Sequence, residues 1–157
     1  MALTLALYQP DIAGNTGAVL RLGACLGVDV SIIEPTGFDM SDRALKRSGM
    51  DYLSMVSLTR HVDFKAFERW RQETGRRLVL FTTAGAASYT DIAYRPDDIL
   101  MFGRESAGVP EAVHGVADLR ATIPMVAGAR SLNLAVSAGM AAVEALRQVR
   151  TGAHGVT

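Results

Sequence analysis

Ile123-Pro124-Met125, a Gly-containing turn, and then Arg130-Ser131-Leu132-Asn133-Leu134 form the stretch of this chain best suited to hold a ligand. It reads as the end of a buried strand, a tight loop, and a helix that opens with polar residues. A helix start carries unpaired backbone N–H groups, which Ser131 and Asn133 can cap or leave facing a molecule in the loop. Two other segments are unusual: Asn15-Thr16-Gly17-Ala18-Val19-Leu20-Arg21, and Phe102-Gly103-Arg104-Glu105-Ser106-Ala107-Gly108-Val109-Pro110. Close approach of backbone to a ligand favours Gly, which lacks Cβ. Thr82-Thr83-Ala84-Gly85, Phe102-Gly103…Gly108 and Val126-Ala127-Gly128 each supply it behind a strand candidate. Open α/β sheets bind ligands in loops at the carboxyl ends of strands. Taken singly, each of the three is also an ordinary turn.

Competing cofactor chemistries fail on the residues. The first strand candidate runs into Gln9-Pro10-Asp11-Ile12-Ala13-Gly14, which is not the G-x-G-x-x-G turn of a dinucleotide site, and no G-x-x-x-x-G-K-[ST] occurs. His61, His114 and His154 are scattered without metal-ligand spacing, so each is expected to be a surface or structural residue and no metal is expected.

These segments need elements to hold them, and strand and helix signals alternate along the chain. Leu3 to Tyr8, the β-branched Val28 to Ile33, Leu78 to Thr82, Ile99 to Phe102 and Leu119 to Pro124 read as strands. Gly14 to Gly27, with Asn15 near its cap, Ser41 to Arg47, Val62 to Glu73 and the Ala-rich Ser131 to Arg150 read as helices. The alternation predicts an α/β fold with a mostly parallel sheet and helices on both faces. At 157 residues the chain suits a single domain over 1–157, with 151–157 as a loose tail.

Composition is ordinary for a globular protein, and no apolar run approaches the length of about 18 residues that would span a bilayer. The N-terminus lacks a basic region before an apolar one. Cys25, the lone cysteine, lies in an apolar helical run and is expected to be a small buried core residue. Together these point to a cytoplasmic protein. A net charge of zero argues mildly against nucleic acid, yet the charge is uneven: residues 41–80 hold nine basic and five acidic residues. Fourteen of the sixteen basic residues are Arg, whose planar fork suits bidentate phosphate contact. A solvated helix face explains Lys65, Arg69 and Arg71 equally well.

From Leu7 to about Arg147, the three separated segments, in this order, resemble the SPOUT superfamily of RNA methyltransferases, in its ribose 2'-O-methylating branch. Leu7-Tyr8-Gln9-Pro10, Ile33-Glu34-Pro35-Thr36-Gly37-Phe38 and Met50-Asp51-Tyr52 resemble the short members that act on the wobble cytidine or uridine of the tRNA anticodon loop. The resemblance implies a deep C-terminal trefoil knot, which pattern reading never proposes because knots are essentially absent from proteins. It implies S-adenosylmethionine bent in three loops, held by Phe81, Thr82, Gly103, Glu105, Gly108, Ile123, Met125, Ser131, Leu132 and Asn133. It implies Arg21, Asn15, Glu105, Ser131 and Asn133 as the catalytic set, with Glu105 supporting Asn15 or the third loop. It also implies a homodimer through the first and last helices, in which one subunit supplies RNA contacts beside the other's cofactor. Ala135, Ala138, Gly139, Ala142 and Ala145 would give the last helix a small-residue surface there, although packing on the protein's own sheet explains them equally well.

An ordinary guanidinium is too weak an acid to serve as a base, so Arg21 is expected to act by charge, on the target phosphate and the developing alkoxide. Arg104 stands where the family commonly has Pro; the loop loses that rigidity and gains a candidate phosphate contact, as does Arg130. Arg43, Lys46, Arg47 and Arg60 are further candidates for contacting the tRNA stem. Methylation of another tRNA position or of ribosomal RNA, or a non-catalytic RNA-binding protein on the same fold, are the competing readings. The chain shows no appended RNA-binding domain, which favours a small target such as an anticodon loop.

Overall fold

A computed structural model describes residues 2–41, 43, 47, 52–84 and 86–152. Lys46, Met50, Asp51, Gly85, His154 and most of the helix expected over Ser41–Arg47 lie outside them, as does the tail beyond Gly152. Strands β1 (Thr4–Tyr8), β2 (Asp29–Ile33), β3 (Leu58–His61), β4 (Leu78–Phe81), β5 (Ala87–Ser88), β6 (Ile99–Phe102) and β7 (Leu119–Thr122) form one sheet in the order β3-β2-β1-β6-β4-β7-β5. Every pairing between these strands is parallel. Helices α1 (Ala13–Leu26), α2 (Phe64–Thr74), α3 (Glu111–Val116) and α4 (Leu134–Thr151) cover both faces. The α/β reading of the sequence therefore holds. Among the described residues, no helix is long and apolar enough to cross a membrane.

The strands read as unbroken apolar runs because both of their faces are buried. Leu5 and Leu7 of β1 face α1 and α4, packing with Val19, Leu20, Ala138 and Ala142. Ala6 and Tyr8 face the other way, toward Phe67 of α2 and Val113 of α3. The outward side of α1 is less well served by pattern reading. Its buried residues are Ala13, Thr16, Gly17, Val19, Leu20 and Gly23, one stripe of the helix, and Cys25 falls opposite it. Cys25 is exposed, contrary to the expectation of a core residue: the run is apolar, but helical phase, not composition, selects the buried face.

Ala138, Ala142 and Ala145 of α4 are fully buried against the protein's own core, so much of the small-residue surface is used within the chain. A Cβ on Gly139 would stand 3.9 Å from Leu22, so α4 also lies close to α1. The expected helix starts were one residue late for α1 (Gly14) and three residues early for α4 (Ser131). Asn15 is not the cap of α1, whose first residue is Ala13, and α4 begins at Leu134 with Asn133 as its cap.

On the α2 face, His61 is buried among Phe67 and Trp70, with ring centroids 5.2 and 5.0 Å away, and its Nε2 lies 3.2 Å from the Ser31 hydroxyl. Burial lowers its pKa. As pH falls below about 6.5, the unfolded chain takes up a proton at this ring that the folded chain refuses. Stability present above that pH is therefore lost progressively on acidification, until the lowered folded pKa is reached. Thermal melts at pH 5 and pH 8 should show a smaller difference for His61→Gln than for the wild type; equal differences would clear His61 of the effect.

Candidate functional site

Four neighbouring strands, β1, β6, β4 and β7, end on one edge of the sheet, and the segments that follow them meet there. They enclose a cleft of about 650 Å³, within the usual range for a small-molecule site. Its apolar side is built from Phe81 and Phe102, whose rings stack with centroids 4.9 Å apart, together with Leu134. All ten residues expected to hold a cofactor, from Phe81 to Asn133, line this one cleft, as do Asn15, Arg104 and Arg130.

A polar relay runs along its mouth. The Glu105 carboxylate accepts the backbone N–H groups of Asp11 (2.8 Å) and Ile12 (3.2 Å) and the Asn15 side-chain amide (3.2 Å). No side chain of the cap residue Ile12 serves α1, so Glu105, from a loop over ninety residues away, supplies negative charge at that helix start. Asn15 Oδ1 in turn accepts from Asn133 Nδ2 at 3.1 Å. Asn133 Oδ1 accepts from Ala135 and Val136 N–H at 2.8 and 3.2 Å, which caps α4. Residues 15, 105 and 133 thus form one hydrogen-bonded chain joining the starts of two helices. Glu105 thus bonds Asn15, one of the two partners that the resemblance implied for it.

The loop after β6 is closed on itself. Arg104 and Gly108 exchange both backbone hydrogen bonds at 2.9 Å, and Gly108 adopts φ +65°. A Cβ on Gly103 would stand 2.6 Å from the Gly108 carbonyl carbon, so Gly is demanded there by its own loop.

The charged candidates divide. Arg21 does not line the cleft of its own chain; it is exposed on α1, with its guanidinium carbon 5.1 Å from the centroid of the Tyr52 ring. Arg43 and Arg47 are exposed and lie outside the cleft lining. Arg60 pairs with Glu34 at 2.6 Å. Arg104 is engaged within the chain, on Asp11 and Gln9. Sequence reading missed Ile12, Phe102, Leu134 and His114 as parts of the cleft wall. Phe102, the last residue of β6, and Leu134, the first of α4, lie at the ends of stretches that were singled out, so proximity was the available signal. His114 had none: it sits on the six-residue α3, too short to show a period.

A cleft at the strand ends of a parallel sheet, walled by three loops, is a shape many folds share; what decides among them is kinship. The family model of the SpoU rRNA Methylase family matches residues 2–143. The chain belongs to that family. It is 63% identical over 145 residues to a protein of Beijerinckia indica named tRNA (cytidine(34)-2'-O)-methyltransferase, covering 92% of this chain and 91% of that one. It superposes with a TM-score of 0.90 on a solved structure concerned with 2-OH methylation of C/U34 on tRNA, at 44% identity over 96% of this chain and 97% of the other. An AdoMet-bound rRNA methyltransferase from Sinorhizobium meliloti aligns with a TM-score of 0.87 at 28% identity, covering 94% of this chain and 56% of that one.

Proposed function

We propose that this protein transfers a methyl group from S-adenosylmethionine to the ribose 2'-hydroxyl of the wobble nucleotide of tRNA, cytidine or uridine 34. The observation that carries the reading is the Glu105–Asn15–Asn133 relay set at the mouth of the cleft, in a chain so similar to a tRNA (cytidine(34)-2'-O)-methyltransferase. The residues present fit the cofactor: an apolar wall of stacked Phe81 and Phe102, backbone-rich loops on three sides, and a loop too tight for any side chain at Gly103. When bound, S-adenosylmethionine supplies the electrophilic methyl group.

The chain's own work is to hold, orient and polarise. Phe81, Thr82, Gly103, Gly108, Ile123, Met125, Ser131 and Leu132 form the cradle, and Glu105 fixes the start of α1 against it. Asn15 and Asn133, held together at 3.1 Å, sit at the opening where the ribose arrives. Arg21 acts by charge: it meets the target phosphate and stabilises the 2'-oxygen as its proton leaves. Tyr52 steadies that guanidinium by cation–π contact. Arg130, at the cleft, and the exposed Arg43 and Arg47 offer phosphate contacts, so binding weakens steeply with salt.

The proposal includes a homodimer and the C-terminal knot. Arg21 lies outside its own cleft, and Val136 and Val143 expose apolar surface on α4, both of which favour pairing of subunits. The strand order, with β6 placed between β1 and β4, is compatible with a threaded chain. Ribosomal RNA is the second reading, because the family description names it. The purified protein should methylate an anticodon stem-loop at position 34 in the presence of S-adenosylmethionine, located by mapping of 2'-O-methylated ribose. Methylation of ribosomal RNA and not of tRNA would replace the first reading with the second.

A further inference from the structure

Strands β1 and β6 are parallel neighbours, with Leu7 opposite Phe102, so the segments that follow them begin side by side. Three consecutive side chains of the second segment all reach back to the first. Arg104 Nε donates to Asp11 Oδ1 at 3.0 Å, its Nη2 donates to the same oxygen, and its Nη1 donates to Gln9 Oε1 at 3.2 Å. Glu105 takes the N–H groups of Asp11 and Ile12. Ser106 donates both its hydroxyl and its backbone N–H, the latter at 3.0 Å, to Asp11 Oδ2.

We propose that Arg104 and Asp11 are positioning residues, forming a clasp that holds the cofactor loop ready-shaped against the start of α1. This inference rests on the cofactor reading above. The loop from Gly103 to Gly108 is already a closed ring through the paired backbone of Arg104 and Gly108. What that ring lacks by itself is a fixed orientation relative to the cleft, and the clasp supplies it. Both oxygens of Asp11 are used, one by the guanidinium and one by Ser106. The Arg104 side chain and then Ser106 hold the Asp11 carboxyl down to about 2, so the pair stays ionised at any physiological pH. Gln9, which receives the third guanidinium bond, has φ +42°, a left-handed conformation that a non-Gly residue adopts only when its surroundings impose it. The guanidinium is therefore spent on the loop instead of standing free for a phosphate. A ligand meeting a loop already in shape does not incur the ordering cost on binding.

The test is calorimetric titration of S-adenosylmethionine into the RNA-free protein, for the wild type, Arg104→Gln, Asp11→Asn and the double variant. Each single change is expected to weaken binding about 10-fold, and the double variant should lose little more than either, because either change already breaks the Arg104–Asp11 contact. Arg104→Lys, with charge but no fork, should fall between Gln and wild type. At saturating cofactor, turnover should stay within about 3-fold of wild type, a split that general damage to the fold would not give. Single variants that bind like wild type, or losses that simply add, would overturn the clasp. So would an Arg104→Gln protein that keeps its cofactor affinity but binds tRNA less tightly with a shallower salt dependence, the signature of a phosphate contact. Failure of the wild type itself to bind the cofactor would instead sink the underlying reading.

Discussion

Arg21→Ala is expected to lower single-turnover methyl transfer by about 100- to 1000-fold, while cofactor affinity stays near the wild-type value. The magnitude follows from oxyanion-type stabilisation, where removal of one charged or hydrogen-bonding partner of a developing anion typically has this effect. The separation of the two readouts follows from place: Arg21 is outside the cleft of its own chain that is proposed for the cofactor, resting on Tyr52. Asn133→Ala, by contrast, should impair both, since Asn133 caps α4, lines the cleft and bonds Asn15. Mixing the two inactive variants sharpens the picture. If Arg21 serves the partner's cleft, a mixed dimer holds one site with both residues intact and activity returns; if each chain uses its own Arg21, the mixture stays inactive. An Arg21→Ala protein that methylates at the wild-type rate would end the assignment.

Gly103→Ala should have the largest effect on the cofactor loop. Its new methyl group would stand 2.6 Å from the Gly108 carbonyl carbon and 2.7 Å from the Gly108 Cα, both backbone atoms that no rotamer change can move. The loop must open, breaking the paired hydrogen bonds between Arg104 and Gly108. Overpacking of this kind typically costs about 1–3 kcal/mol, which corresponds to about 5- to 150-fold in affinity if it falls on the binding-ready form. Calorimetry with S-adenosylmethionine checks it; unchanged affinity would mean that the loop takes no part in the cradle.

The sheet and the loops around the cleft were legible in the sequence because parallel strands buried on both faces leave continuous apolar runs. Ile99–Phe102 appears in full for this reason. β5, two residues long, and β3, whose Thr59 and Arg60 are exposed, leave no such run and were missed. The ten residues expected to hold a cofactor, all of which line the cleft, came from motif resemblance, since backbone-lined loops carry little side-chain signature. Cys25 went wrong because apolar neighbours do not reveal helical phase when Gly and Ala dominate a helix. The role of Arg104 was hidden for another reason. Its partner Asp11 is 93 positions away, and only the pairing of β1 with β6 brings the two together.

That pairing also has a consequence for biogenesis. The interior strand β1 contains residues 4–8, yet one of its two neighbours, β6, begins at residue 99. At a synthesis rate of about 5–20 residues per second, β1 emerges on the order of five to twenty seconds before that neighbour exists. Through that interval the nascent chain carries the edge of an apolar strand without its partner, and the Asn15–Asn133 contact must wait still longer. Long-range closure of this sort slows folding and leaves sticky edges exposed. The protein is therefore expected to lean on ribosome-associated chaperones more than its 157 residues would suggest.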